Sequence, residues 1–279
     1  MRLELGLNLG SNKVGSAAVV APTLLSDILS GVVFELDLTN TNSYSGSGNT
    51  VANLTPTPAD GSAKAAYNFT KSAGAAFTGS AGASDAHLLM DGSGYLTIGA
   101  NTTFLSKLHR TDGGATPYTL ILVGSFVPKT VAANPQSYFG TNALDGSSAG
   151  WHWGNGLYGD VSNRVNNMVQ GSWADPALIT AGPVSADSTE RCLIMTHNNG
   201  AIKFYSNSST PNTAAHGFQI VTADAIYPMQ IGASGNNIMP IYAGGKVRIS
   251  AMLNRVVDNT EAASILSNVA ARTGFNYGS

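Results

Sequence analysis

The sequence predicts an all-β sandwich with one short C-terminal helix, and three observations lead there. Short strand-like runs recur through the chain between turns rich in glycine, proline and asparagine, which is the spacing of a two-layer sandwich. Residues 118–126, Tyr118-Thr119-Leu120-Ile121-Leu122-Val123-Gly124-Ser125-Phe126, are aliphatic, β-branched and aromatic and lie between Pro117 and Pro128. They read as a central strand buried on both faces. Plain helical periodicity is confined to the C-terminus. There Asp258-Asn259-Thr260-Glu261 forms a capping-box signature, Ala262, Ile265, Leu266, Val269 and Ala270 mark one face, and Gly274 supplies the stop.

The elements follow in chain order. Leu3, Leu5, Leu7 and Leu9 alternate with Glu4, Gly6, Asn8 and Gly10, a period-two pattern with one apolar face. Residues 1–30 therefore read as an arm for docking or oligomerisation, and 31–279 as the sandwich. Within the arm, residues 24–29 form a short helix or apolar tether after Pro22. The first core strand spans 32–38, and the polar stretch 39–84 suits loops and short edge strands. Next, Leu88-Leu89-Met90 and Tyr95-Leu96-Thr97-Ile98 flank Asp91-Gly92-Ser93-Gly94. Glycines able to take positive φ between two β-favourable runs predict a tight antiparallel hairpin, with Asp91 holding its turn and Tyr95 packed at the sandwich edge. Further strands are expected at 137–140, 151–153, 164–169, 191–197, 201–206, 218–221, 229–232 and 247–253. Asn198-Asn199-Gly200 gives the best hairpin turn of the chain.

At 279 residues the chain fits one large all-β domain or two small ones. Charged residues make up 11% and the net charge is −2, so the surface must be covered mainly by neutral polar groups. Scattered cations give no footprint for a phosphate backbone, which argues against nucleic acid. No apolar run reaches the roughly eighteen residues of a membrane span. Cys192 is the single cysteine and sits in an apolar run, reading as a core residue; no intrachain disulfide can form. Residues 13–22 loosely imitate a signal sequence, which Glu4 and the preceding polar segment spoil. The Asn-x-Ser/Thr triplets at Asn53, Asn68, Asn101 and Asn207 are expected by chance in so Asn-, Ser- and Thr-rich a chain.

Candidate chemistry is sparse. Glu35-Leu36-Asp37 partly imitates the carboxylate strand of sandwich-fold glucanases, in which alternation aims two acids from one face. Thr39 stands where a further glutamate would be, and no other carboxylate has the required spacing. The five histidines, His87, His109, His152, His197 and His216, show no metal-ligand spacing. Trp151-His152-Trp153 with Tyr158, and the loop around Tyr44, form the candidate glycan or partner contact. A strand puts Trp151 and Trp153 on one face, either core packing or a stacking surface for sugar rings. Asp91 is a weak cation-ligand candidate, with turn capping the favoured role.

Several segments together resemble a known family. Residues 33–38 with Ser43-Tyr44-Ser45-Gly46-Ser47-Gly48 look like the opening strand and loop of the laminin-G-like domains of bacteriophage virion proteins. Met90-Asp91-Gly92-Ser93-Gly94-Tyr95-Leu96 is similar to their Phe-Asp-Gly-x-x-Asp-Tyr hairpin, and residues 118–126, 247–253 and the helix near Thr260 also fit. The likeness covers residues 31–275. Two departures stand out: Gly94 replaces the acid before the tyrosine, which weakens an inherited calcium site, and Met90 replaces an aromatic. The Leu-x-Leu-Gly-Leu-Asn-Leu-Gly start is similar to arms that begin phage structural proteins. The resemblance implies a laminin-G/concanavalin A-like jelly roll in a non-enzymatic virion structural protein, either a capsid decoration or head fibre or a tail or baseplate appendage. Such a protein is assembled in the bacterial host cytoplasm, docks to other virion proteins (capsid or tail) through Leu3, Leu5, Leu7 and Leu9, and forms a homo-oligomer, often a trimer. The alternative is a carbohydrate-binding adhesin for a host surface glycan. Neither reading calls for a cofactor.

Overall fold

Among the described residues, alternating side chains build two eight-stranded antiparallel sheets that share one apolar interior. The computed structural model describes residues 23–110, 117–127, 136–141, 151–155, 165–169, 177–179, 189–198, 201–215 and 222–278. In chain order these hold α1 (Leu25–Ile28), β1 (Val32–Asp37), β2 (Thr50–Val51), a 3-10 turn (Lys64–Tyr67), β3 (Phe69–Lys71), β4 (Ala75–Thr78), β5 (His87–Met90) and β6 (Leu96–Ile98). They continue with α2 (Thr103–Lys107), β7 (Tyr118–Ser125), β8 (Gln136–Gly140), β9 (Trp151–Asn155), β10 (Val165–Val169), β11 (Ala177–Ile179), β12 (Arg191–Asn198) and β13 (Ala201–Ser206). The chain closes with β14 (Asn212–Ala215), β15 (Gln230–Ile231), β16 (Lys246–Leu253) and α3 (Asn259–Thr273).

One sheet runs β14-β13-β12-β7-β16-β5-β4, and β1 pairs with β16 beside β5. The other runs β11-β10-β9-β8-β15-β6-β3-β2. Leu120 and Leu122 of β7 face the interior between the sheets, while Ile121 and Val123 face a second apolar layer under α3 and α1. With both its faces covered, β7 carries a continuous apolar run where a half-exposed strand would alternate. Cys192 lies in the second layer, and burial pushes its thiol pKa well up, which keeps it protonated and inert.

The C-terminal helix follows its sequence signals. Asp258 Oδ1 accepts from the Glu261 amide at 2.8 Å and Glu261 Oε2 accepts from the Asp258 amide at 3.1 Å. Gly274, at φ 76°, ends the helix and returns its amide to the Ala270 carbonyl. The β12–β13 hairpin also forms where the Asn-Asn-Gly turn predicts it. α1 forms too, but residues 23–30 of the expected arm pack on the sandwich: Leu25 is fully buried, and Asn268 donates to the Thr23 carbonyl at 3.0 Å. Leu3, Leu5, Leu7 and Leu9, and the strand expected at 218–221, lie outside the described residues.

One local expectation is corrected. The runs on either side of Asp91 do not pair with each other: β5 joins β4 and β16 in one sheet, while β6 joins β3 and β15 in the other. The hairpin is β4–β5, and its two arms bend together across the sandwich to continue as β3 and β6. At the bend the backbones touch. A Cβ on Gly94 would lie 2.3 Å from the Gly74 carbonyl oxygen, so glycine is required there for close approach, while Gly92, at φ 95°, serves the turn.

Candidate functional site

Strand alternation does place Glu35 and Asp37 on one face, and that face lies beneath α3. Arg272, in the last helical turn, donates through Nη1 to Glu35 Oε1 at 2.6 Å and to Asp37 Oδ2 at 3.0 Å. The Leu25 amide donates to Glu35 Oε2 at 2.9 Å, and the Thr39 amide and hydroxyl donate to Asp37 Oδ1 at 2.8 and 2.6 Å. Each of the four carboxylate oxygens is thus occupied, and both acids are fully buried. Burial pushes the Glu35 pKa up, against the lowering effect of the Arg272 guanidinium. No oxygen is left facing solvent to attack or protonate a glycoside, so this pair is a structural clasp between β1 and α3.

A second buried pair lies further along the same face. Arg248 Nε meets Glu190 Oε1 at 2.5 Å, Arg248 Nη1 donates to the Ser84 carbonyl at 2.9 Å, and the guanidinium sits 5.0 Å from the Phe275 ring centre. Burial raises the Glu190 pKa, with Arg248 opposing it. Together the two clasps hold the helix and the C-terminal segment on the sheet.

Asp91 holds its turn. Its Oδ1 accepts from the Ser93 amide at 2.8 Å and the Ser93 hydroxyl at 2.7 Å, and these donors lower its pKa. The turn is the crossing between sheets, and Tyr95 beside it is half-buried, its amide donating to Ser72 Oγ. Among the described residues no group of three or more His, Cys, Asp or Glu side chains is placed to hold a metal ion. His87 and His109 bond backbone carbonyls, and His197 stacks on Tyr118. The Asn-x-Ser/Thr asparagines serve the backbone: Asn53 is buried and accepts from the Glu35 and Thr55 amides, and Asn207 accepts from the Cys192 amide.

The aromatic candidates separate. Tyr44 is only 3% exposed, its ring lies 5.0 Å from Phe77, and its hydroxyl donates to the Gly48 carbonyl. It supports its loop and presents no ring face for stacking. Trp151 and Trp153 fall in β9, where the register sets Trp153 opposite Phe139; Tyr158 lies outside the described residues.

A feature the sequence reading missed lies at the end of the sandwich where β16 finishes and β1 begins. A cleft of about 390 Å³ opens between the 58–62 loop, α2 and Asn254, lined by Asp60, Ser62, Thr103, Phe104, Lys107 and Asn254. Asp60 Oδ2 accepts from Tyr67 Oη and Ser62 Oγ, both at 2.6 Å, and Oδ1 from the Ser62 amide at 3.2 Å. Because the one Tyr67 proton goes to Asp60, Thr102 Oγ1 at 2.8 Å must donate to Tyr67; Thr102 in turn caps α2 by accepting from the Leu105 amide. This chain fixes the acid relative to the helix that carries Phe104 and Lys107. The Phe104 ring is partly exposed and backs onto the interior core. Asn254 is held by donation to the Ala59 carbonyl at 3.1 Å. These residues come from three distant segments with no shared motif; the one local signal was Thr102 before Phe104-Leu105, a helix-cap pattern.

No family model matches the chain, and no curated protein matches it in sequence. In structure it is similar to domain 4 of AbnA, a GH43 extracellular arabinanase from Geobacillus stearothermophilus, in a complex with arabinotriose: TM-score 0.54, 11% identity, covering 84% of this chain and 97% of that one. It is also similar to the binding domain of botulinum neurotoxin DC in complex with SialylT, with TM-score 0.55, 10% identity and 86% and 52% coverage. The Trypanosoma rangeli sialidase with 2,3-difluorosialic acid gives TM-score 0.55, 12% identity and 87% and 33% coverage. The chain therefore spans about half the toxin domain and a third of the sialidase. At such identities the likeness concerns the fold alone, a two-sheet antiparallel β-sandwich.

Proposed function

We propose that this chain is a non-enzymatic display protein whose lectin-like sandwich recognises carbohydrate. The observation that carries the reading is the closed Glu35–Arg272–Asp37 clasp: the one acid pair with glycosidase-like spacing is buried and fully bonded. The fold likeness to an arabinanase domain in complex with arabinotriose supports recognition in its place. The test applies the full chain to an array of neutral and sialylated oligosaccharides that includes arabinotriose. Binding of at least one glycan without release of reducing sugar is expected. Binding to none, or hydrolysis that vanishes in Asp37→Asn, overturns the reading.

A second reading concerns where the sandwich is carried. The resemblance of residues 33–48, 90–96 and 118–126 to phage virion domains, and the Leu3-to-Leu9 arm, favour a virion structural protein anchored by that arm as a homo-oligomer. Because α1 is part of the packed sandwich, the informative truncation removes residues 1–22 and spares Leu25. That deletion should leave the unfolding midpoint unchanged and abolish incorporation into particles. Normal incorporation defeats the arm as anchor.

A further inference from the structure

We infer that the cleft between the 58–62 loop and α2 binds the end of a neutral oligosaccharide, with Phe104 as the apolar platform, Asp60 as the hydroxyl acceptor, and Lys107 and Asn254 as the polar rim. The inference rests on the carbohydrate-recognition reading and assigns its site. A sugar ring offers an apolar C–H face and a rim of hydroxyls that both donate and accept. Its site therefore needs a flat apolar surface beside mixed donors and acceptors, which is what this cleft assembles. The partly exposed Phe104 ring packs against the core, which supports it from behind. Asp60 spends three of its roughly four acceptor positions on Ser62 and Tyr67, which leaves about one for a ligand hydroxyl. Lys107, on the same helix as Phe104 and one turn along, lines the cleft with up to three donors. At about 390 Å³ the cleft is at the small end of ligand pockets, suited to a terminal sugar or two.

The charge pattern selects the neutral class. One carboxylate and one ammonium line the cleft, so an acidic sugar would gain from Lys107 and lose against Asp60, whereas a neutral sugar uses both as hydrogen-bond partners. The site is also set before any ligand arrives. Asp60, Tyr67, Thr102 and the start of α2 are linked in one hydrogen-bonded chain, so little side-chain freedom remains to be lost on binding.

The test takes the strongest neutral oligosaccharide on the array and titrates it into the wild type, Phe104→Leu and Lys107→Gln, with the unfolding midpoint of each variant as the folding control. Phe104→Leu keeps bulk against the core but removes the aromatic face, and affinity should fall about fivefold or more. Lys107→Gln should weaken binding by a smaller factor. If the wild type binds no glycan, the recognition reading itself fails. If it binds a neutral glycan and both cleft variants bind equally well at unchanged midpoints, the site assignment is overturned while recognition stands. Binding restricted to sialylated oligosaccharides overturns the neutral class.

Discussion

Replacing Arg272 with Met tests the account of the carboxylate pair most directly. The substitution keeps an unbranched side chain in the last turn of α3 and removes the one guanidinium nitrogen that serves both Glu35 at 2.6 Å and Asp37 at 3.0 Å. Both acids are fully buried and would be left without a cation. Breaking a buried ion pair from one side costs about 3–5 kcal/mol. Since one cation here serves two anions, the upper part of that range is expected at pH 7. The folding equilibrium should shift roughly 900- to 5,000-fold, and the thermal midpoint should fall by about 8–20 °C for a chain of this size. Urea unfolding at pH 7 and again near pH 4.5 measures it. Burial raises the Glu35 pKa, and a protonated Glu35 no longer needs the cation, so the penalty should shrink at the lower pH. The triple variant E35Q/D37N/R272M should recover most of the loss, because no buried charge remains unpaired. A loss below about 1 kcal/mol at pH 7, or an equal loss at both pH values, would refute the clasp.

The other predictions concern titration and close packing. Burial holds the folded Glu35 pKa above the ordinary 4.5, so its contribution is present below that pH and is lost as pH rises through the raised value. The stability difference between wild type and Glu35→Gln should therefore fall on going from pH 4 to pH 8. Glu261, whose pKa the Arg255 guanidinium lowers, should show the opposite sign, with Glu261→Gln costing more at pH 7 than at pH 3; equal slopes for the two variants would be inconsistent with these environments. Gly94→Ala drives a methyl toward the Gly74 carbonyl and should cost about 3 kcal/mol or more, whereas Gly99→Ala meets nothing within 4 Å and should stay within about 0.5 kcal/mol of wild type by denaturant unfolding. Asp91→Ala should lower the thermal midpoint equally in calcium and in EDTA, because its Oδ1 works on Ser93; a loss seen only with calcium present would restore a metal role.

The contrast between Gly94 and Gly274 shows where sequence reading stops. Gly274 ends a helix whose cap, apolar face and stop all lie within one segment, and the structure follows it closely. The glycine pair 92 and 94 carries an equally strong turn signal, but that signal describes a reversal and not which strands become neighbours. β5 and β6 part into different sheets because β16 and β15, both far along the chain, complete their ladders. The cleft is less legible still: Asp60, Phe104, Lys107 and Asn254 acquire a common purpose only when a loop, a short helix and the end of a strand meet.

The sequence by itself determined the features that one segment encodes: the doubly buried β7, the β12–β13 hairpin, the capped α3, the core setting of Cys192, and hence an all-β sandwich with one C-terminal helix. Tertiary structure decided what distant segments do to one another. Strand alternation put Glu35 and Asp37 on one face, but whether that face met a sugar or an arginine depended on Arg272, more than two hundred residues away. The physical reason is that hydrogen-bond periodicity and side-chain shape act over a few residues. Ion pairing, burial and strand neighbours are set by which surfaces the folded chain brings into contact.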